Sequence, residues 1–274
     1  HLSSRRQRQM CIRDRVYLIY LLSFFMIAEA NFRHNDINSF LDELGEAQDK
    51  EKFFKEYVKS VRLNDQKVNS VISLYSNQEI LKEYYAGVEK EFHGVPILLK
   101  DNIDSIGIAN TAGSLAFKNN LPKNDAPLVS KLRESGFIIL GKANLSEWAN
   151  FRGNPSTSGW TSINGQTNNP FNLKYNPCGS SSGSAAAIAQ GLVPVSIGTE
   201  TNGSITCPAS VNGVVGIKPT VGLVSRTGVI PISETQDTAG PMAKNVMDAA
   251  RVLKAIAGKD PLDSYTAKIP QDYD

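Results

Sequence analysis

Residues 177–205 read PCGSSSGSAAAIAQGLVPVSIGTETNGSI, and this stretch determines how we interpret the whole chain. A loop of glycine and serine leads into an alanine-rich segment at 184–190, which predicts a helix. An apolar segment at 193–197 then predicts a buried strand, and a second loop of small residues follows it. Such loops can present backbone N–H groups at a helix start or after a strand. Each is therefore a candidate site, with a plain flexible loop as the alternative for either one alone.

Further segments of the same kind lie on both sides of this stretch. The apolar run 95–99 ends at Lys100, and a predicted helix at 126–135 precedes another apolar run at 137–140. One more amphipathic helix is predicted at 243–257. Helices that alternate with short buried strands predict an α/β fold with a mixed β-sheet core, covered by helices on both faces.

Composition divides the chain into three parts. Residues 1–30 are interpreted as a leader followed by a signal peptide, and residues 31–90 carry apolar side chains at helical spacing. That spacing predicts an N-terminal helical layer. Residues 91–274 contain the strands and the two small-residue loops, so they are expected to form the functional core.

The signal peptide is inferred from the apolar run 16–28 and the Ala28-Glu29-Ala30 pattern that follows it. The run is shorter than the roughly 20 residues that a membrane-spanning helix needs, so no stable membrane span is expected. A short apolar core before an A-x-A site is typical of secretion signals. We therefore expect cleavage after Ala30 and an exported protein, periplasmic or secreted. If the run is instead a first core helix, a cytoplasmic protein is expected.

Composition and cysteine content limit the other possibilities. The chain has 274 residues, 41% of them apolar, and a formal net charge of +2 that comes from arginines within the first fifteen residues. No basic face of the kind that binds nucleic acid is apparent. Cys178 and Cys207 are a pair that a disulfide would suit in an exported protein, but the sequence does not decide whether they meet. The sequence has no close cluster of Cys and His residues, so no metal site is predicted.

Lys100 is the first candidate for chemistry, because it ends an apolar strand and its stem is expected to be buried. Burial disfavours the charged form of a lysine and lowers its pKa, which suits a general base. Two alternatives stay open at this point. The side chain could extend to the surface, or it could pair with Asp101.

Ser204 is the candidate nucleophile, because it follows Gly203 in a small-residue turn after a predicted strand. A Ser-His-Asp enzyme would also need a histidine. Beyond the first residue the chain has only His34 and His93, and neither lies in a motif. This pattern favours lysine over histidine as the base, with His93 as the alternative base.

Three segments together resemble the amidase signature family: GVPILLKDN from Gly94, CGSSSGSAAA from Cys178 and GTETNGSI from Gly198. Within that family, LSEWANFRGN from Leu145 and QDTAGPMA from Gln236 are most similar to the bacterial peptide amidases. Three ordered motifs at fixed spacing are more specific than any one of them. The resemblance covers about residues 90–258.

The resemblance implies a Ser-cisSer-Lys triad. Ser204 corresponds to the nucleophile, Ser180 to the bridging serine on a cis peptide bond, and Lys100 to the base. Ser181 corresponds to a helper serine beside the bridge. The backbone N–H groups expected to form the oxyanion hole are those of Thr201, Asn202 and Gly203.

The resemblance also implies an activity: hydrolysis of a C–N amide bond through an acyl-serine intermediate, without a metal or cofactor, on a peptide or small-molecule amide. One rival is the glutamine-hydrolysing component of a tRNA amidotransferase, which would need companion chains. Thr206 stands where that component has arginine, which weakens this rival. The family's catalytic domains extend beyond the position of Asp274, so we expect an incomplete core, and an inactive fragment is the other rival.

Overall fold

A computed structural model describes residues 36–151, 153 and 155–269 of the chain. The predicted signal peptide and its cleavage site after Ala30 lie outside the described residues. Within the described part, none of the helices combines the length and the apolar character that a bilayer crossing requires.

Seven α-helices and eight strands make up the described fold. The helices are α1 (Ile37–Glu46), α2 (Lys50–Asp65), α3 (Asn77–Ala86), α4 (Pro127–Glu134), α5 (Ser182–Gln190), α6 (Thr206–Val211) and α7 (Val246–Ile256). The strands are β1 (Val71–Leu74), β2 (Pro96–Lys100), β3 (Ile138–Ala143), β4 (Trp160–Thr161), β5 (Gly165–Gln166), β6 (Val195–Glu200), β7 (Val215–Gly216) and β8 (Thr238–Ala243). Short 3₁₀ turns occupy Leu115–Phe117 and Ser264–Lys268, and Glu147–Asn150 is a short turn with left-handed residues at its centre.

Six strands form one mixed sheet in the order β1-β3-β2-β6-β8-β7, and β4 and β5 form a separate small ladder. The central strands β3, β2 and β6 are parallel, whereas β1, β8 and β7 pair antiparallel with their neighbours. Every residue of β2, β3, β6 and β8 is buried, which explains why β2 and β3 contain continuous apolar runs. The predicted α/β fold, with helices on both faces of a mixed sheet, is confirmed.

Strand pairing extends beyond the apolar runs. The run predicted at 193–197 becomes strand β6, which continues through Thr199 and Glu200 because both pair with β8. Lys100 is likewise a strand residue, since it pairs with Ala143 of β3. These polar residues therefore sit on rigid backbone at one end of the sheet.

Of the segment predicted as an N-terminal helical layer, the described residues 36–90 contribute a helical layer and also one strand. Phe40, Phe53 and Tyr57 pack edge-on or stacked with ring centroids 5.4–6.4 Å apart, as their helical spacing predicts. The Tyr57 hydroxyl donates to the Leu192 carbonyl at 2.7 Å, which ties this layer to the core. Strand β1 pairs with β3 at the edge of the main sheet. The layer is thus continuous with the sheet.

Candidate active site

Lys100 lies at the end of the central strand β2, and its side chain is fully buried, at 0% exposure. Its Nζ is 2.7 Å from Ser180 Oγ, 2.8 Å from Thr199 Oγ1 and 3.1 Å from the Thr199 carbonyl oxygen. In the described part of the chain, no carboxylate lies within 4.0 Å of this amine. Asp101 pairs instead with Lys142, so both alternatives for Lys100, exposure and pairing with Asp101, are wrong.

Burial lowers the pKa of Lys100 to about 7, although the negative charges of Asp237 and Glu200 oppose the shift. A substantial fraction of the amine is therefore neutral near neutral pH. A neutral amine in contact with a hydroxyl can accept its proton, which is the property of a general base.

Ser180 follows a cis peptide bond after Gly179 and is fully buried. Its carbonyl oxygen accepts a hydrogen bond from the Ser146 N–H at 3.0 Å. A Cβ at 179 would collide with Ser146 Oγ and Ser182 Oγ unless those side chains moved. The loop before α5 is thus packed closely, which directs the Ser180 hydroxyl towards Lys100.

Glu200 organises the turn that carries Ser204. Its carboxylate accepts hydrogen bonds from the N–H groups of Gly203 at 2.8 Å, Ile205 at 2.7 Å and Thr206 at 2.9 Å. Burial opposes ionisation of this group, but the hydrogen bonds outweigh it and place the pKa of Glu200 below its ordinary value. Sequence reasoning missed this residue; the signal was an acidic residue within reach of the N-terminus of α6.

Ser204 lies beside the Ser180 loop, because its carbonyl oxygen accepts from the Ser181 N–H at 3.1 Å. The Ser181 hydroxyl donates to the Thr199 carbonyl oxygen at 3.0 Å and accepts from the Thr199 N–H at 3.2 Å. Ser181 therefore holds the loop against β6. Within the described residues, no hydrogen bond joins Ser204 Oγ to Ser180 or Lys100.

The three amides predicted for the oxyanion hole differ in their partners. The Gly203 N–H is engaged by Glu200. The N–H groups of Thr201 and Asn202 have no protein acceptor among the described residues. The Thr201 hydroxyl donates to Asp237, which holds the start of the turn. Two of the three predicted amides are thus available to bind an anionic oxygen.

A disulfide joins Cys178 and Cys207, with 6.0 Å between their Cα atoms. It connects the Ser180 loop to helix α6, which follows Ser204. His93 binds the Tyr84 carbonyl oxygen and stacks on the Tyr84 ring, so it is not part of this cluster. The described residues contain no group of three or more His, Cys, Asp or Glu side chains placed to hold a metal ion.

Comparison with known proteins identifies the family. A sequence model of the family described as Amidase matches residues 53–274. A probable amidase of Arabidopsis thaliana is 55% identical over 175 residues, which are 64% of this chain and 34% of that protein. The A subunit of a glutamyl-tRNA(Gln) amidotransferase from Pseudothermotoga lettingae is 42% identical over 213 residues, which are 78% of this chain and 43% of that protein.

Among solved structures, the native peptide amidase of Stenotrophomonas maltophilia is similar, with a TM-score of 0.82 and 49% identity. The match covers 88% of this chain and 51% of that one. The chain therefore spans about half the length of this relative and less than half the length of the other two. Residues 53–274, which the family model matches, include all three motifs and the strands that carry them. The chain belongs to the amidase signature family.

Proposed function

We propose that the protein hydrolyses a C–N amide bond through an acyl-serine intermediate, with Ser204 as nucleophile, Ser180 as proton relay and Lys100 as base. The observation that carries the proposal is the environment of Lys100. Its amine is fully buried, has a pKa of about 7 and lies 2.7 Å from Ser180 Oγ. Membership of an amide-hydrolysing family supports the same reaction.

In the first half-reaction, the Ser204 oxygen attacks the substrate carbonyl carbon. The Ser204 proton passes to Ser180 Oγ as the Ser180 proton passes to neutral Lys100. The carbonyl π electrons move to the oxygen, and the N–H groups of Thr201 and Asn202 stabilise the resulting oxyanion. As the C–N bond breaks, Lys100 returns its proton through Ser180 to the departing nitrogen. When that nitrogen is unsubstituted, ammonia leaves.

In the second half-reaction, water attacks the acyl-serine carbonyl and gives a proton to the same relay. The new tetrahedral intermediate expels Ser204, which recovers its proton from Ser180. The products are a carboxylic acid and ammonia. No step in this scheme uses a metal or an organic cofactor.

For the substrate, we propose a peptide or small-molecule amide, supported by the 49% identity to a peptide amidase. The rival function, hydrolysis of glutamine for a tRNA amidotransferase, is favoured by the 42% identity to a component of such an enzyme. The two are separated by measuring ammonia release from glutamine and from an N-acetyl amino-acid amide. Release from glutamine alone would favour the rival.

Export is also part of the proposal. It is supported by the apolar run before Ala28-Glu29-Ala30 and by the Cys178–Cys207 disulfide, since disulfides persist in oxidising compartments. N-terminal sequencing of the mature protein is expected to begin at Asn31. An intact N-terminus in a cytosolic fraction would contradict export.

The test of the catalytic assignment is labelling with a fluorophosphonate, which reacts with an activated serine. The wild-type protein should be labelled, and Ser204→Ala should not be. Ser210→Ala is the matched control, because Ser210 is an exposed serine on the adjacent helix α6. Ser180→Ala should still react, but roughly 10²–10⁴-fold more slowly, as is typical for loss of a proton-transfer group. Equal labelling of wild type and Ser204→Ala would refute the nucleophile assignment.

A further inference from the structure

A small concave pocket of about 80 Å³ lies beside the candidate active site. Its walls are almost entirely apolar, and the one polar side chain is Asn102, which is 3% exposed. Residues that line it include Ala112, Trp148, Phe151, Ile230 and Ile232. None of these residues takes part in the proton relay.

The backbone that forms one wall adopts an unusual conformation. Trp148 and Ala149 both have φ of 52°, and Ala112 has φ of 48°. Left-handed conformations are uncommon for residues other than glycine, and a bulky residue there is a genuine outlier. Such strain persists where the surrounding structure enforces it, and it concentrates at binding sites. The Trp148 N–H donates to the Ala112 carbonyl oxygen at 2.9 Å, which joins the strained segments.

Hydrogen bonds connect the pocket to the relay on one side. Asn102 Nδ2 donates to Thr199 Oγ1 at 3.0 Å, and the same oxygen is 2.8 Å from Lys100 Nζ. Asn102, a residue of the pocket wall, is thus linked to the Lys100 amine through a single residue, Thr199.

A second connection leads to the predicted oxyanion turn. The Ile232 N–H donates to Asp237 at 2.7 Å, and Asp237 also accepts from the Thr201 hydroxyl. The pocket wall at Ile232 is thus joined through Asp237 to the turn that carries the Thr201 amide.

Asn102, which lines the pocket, also has an unused acceptor. Asn102 Oδ1 is buried and has no hydrogen-bond partner among the described residues. A buried polar atom without a partner is unfavourable, so a ligand that donates a hydrogen bond to it would gain stability.

We infer that this pocket binds a compact apolar group on the acyl side of the substrate, and that Asn102 Oδ1 accepts a hydrogen bond from the adjacent substrate N–H. This inference rests on the proposed amide hydrolysis. The volume determines the size of the group, since about 80 Å³ is roughly half of the ~150 Å³ apolar cavity that holds benzene. A branched aliphatic side chain fits this description better than an aromatic ring. The preferred substrate is therefore an acylated amino-acid amide with a valine- or leucine-like side chain.

The test measures kcat/KM of the full chain for N-acetyl-leucinamide and N-acetyl-alaninamide. A single methylene group in an apolar pocket changes discrimination by roughly 10–200-fold, and leucine carries more carbon than alanine, so wild type should prefer the leucine amide by at least about tenfold. Phe151→Ala and Ile230→Ala should each reduce that preference several-fold. Phe171→Ala is the matched control, because Phe171 is 72% exposed and Phe151 73%, but Phe171 does not line the pocket. The control should keep the wild-type preference.

The role of Asn102 has its own measurement. N-Methylation of the acetylamino nitrogen removes the donor, so wild type should hydrolyse the methylated leucine amide about tenfold more slowly. In Asn102→Ala this penalty should largely disappear. An equal penalty in both proteins would overturn the assignment of Asn102.

Two outcomes would overturn the pocket itself: no preference for leucine in wild type, or equal effects of Phe151→Ala and Phe171→Ala. Failure of the proposed function looks different, because then neither amide is hydrolysed and Ser204 is not labelled by fluorophosphonate. In that case calorimetric binding of N-acetyl-leucinamide to wild type, Phe151→Ala and Phe171→Ala decides the pocket. Binding that only Phe151→Ala weakens supports it, and binding that neither or both weaken overturns it.

Discussion

Two fully buried lysines lie on neighbouring strands, Lys100 on β2 and Lys142 on β3. Lys142 Nζ is 3.7 Å from Asp101 Oδ1 and also donates to the Ile103 carbonyl oxygen. Lys100 instead contacts hydroxyl and carbonyl oxygens only. Burial lowers the pKa of both amines, but for Lys142 the nearby Asp101 is the main opposing charge.

Burial alone therefore does not make a lysine a base. The amine also needs a hydroxyl that leads to the substrate and no carboxylate in contact. Asp101 accepts a hydrogen bond from the Thr111 hydroxyl and also pairs with Lys142. The Lys142 pair therefore fixes the loop after β2, whereas Lys100, the proposed base, has no carboxylate in contact among the described residues.

The largest expected effect is on activity in Lys100→Met. Loss of the base should lower kcat/KM by roughly 10²–10⁴-fold, and Lys100→Arg should not rescue it, since arginine stays protonated. The measurement is ammonia release from an acylated amide. Full activity in Lys100→Arg would show that another group is the base.

The same variant also tests the linkage between the lowered pKa and stability. Between pH of about 7 and the ordinary lysine pKa of 10.5, the unfolded state binds a proton that folded Lys100 lacks. The stability contribution of this group therefore rises with pH across that window and is at its lowest below pH of about 7. Lys100→Met should be at least as stable as wild type at pH of about 6, measured by denaturant unfolding. A marked loss of stability would mean that the amine is favourably paired.

The next largest effect is on stability in Lys142→Met. Removing one partner of a buried pair leaves Asp101 uncompensated, so the free energy of unfolding should fall by about 3 kcal/mol or more. Adding Asp101→Asn should recover part of that loss. Denaturant unfolding measures both variants. Unchanged stability in Lys142→Met would show that the pair is not a structural unit.

A smaller effect is expected in the pH profile of wild type. Because the proposed base Lys100 must be neutral to accept a proton, kcat/KM should rise with pH through an apparent pKa of about 7 and fall nearly tenfold per pH unit well below it. The fraction of Lys142→Met that stays folded should show the same rise of kcat/KM with pH, which we call the pH limb. If substitution of Lys142 changed the pH limb and substitution of Lys100 did not, Lys142 rather than Lys100 would have to be the base.

The smallest effect is expected from Thr199→Val. The Thr199 hydroxyl accepts from the charged amine, so its loss should lower the pKa of Lys100 further. The pH limb should then shift towards acid by less than about one unit. Thr235→Val, at an exposed threonine, is the control. A shift towards alkaline pH would contradict the hydrogen bond.

Local patterns account for what the sequence predicts well. The apolar runs place β2, β3 and β6, and the strand that ends at Lys100 leads directly to the buried amine. The small-residue loops after β6 and before α5 meet at one end of the sheet, because the Ser181 N–H donates to the Ser204 carbonyl oxygen.

The features that were missed depend on the folded geometry rather than on a motif or a hydrophobic pattern. The pairing of Lys142 with Asp101 depends on the alignment of β2 with β3, and the engagement of the Gly203 amide by Glu200 depends on the shape of one turn. The left-handed backbone at Trp148 was also missed, because no glycine at this position predicts it and tertiary packing imposes the conformation.

The Cys178–Cys207 disulfide closes a covalent ring that contains both Ser180 and Ser204. No lysine or arginine lies between the two cysteines, so trypsin leaves both serines on one peptide. A protease that cuts after Glu200 separates the two serines along the chain, yet the fragments stay linked until the disulfide is reduced. Mass-spectrometric assignment of an active-site label to Ser204 rather than Ser180 therefore requires reduction of the digest as well as a second protease.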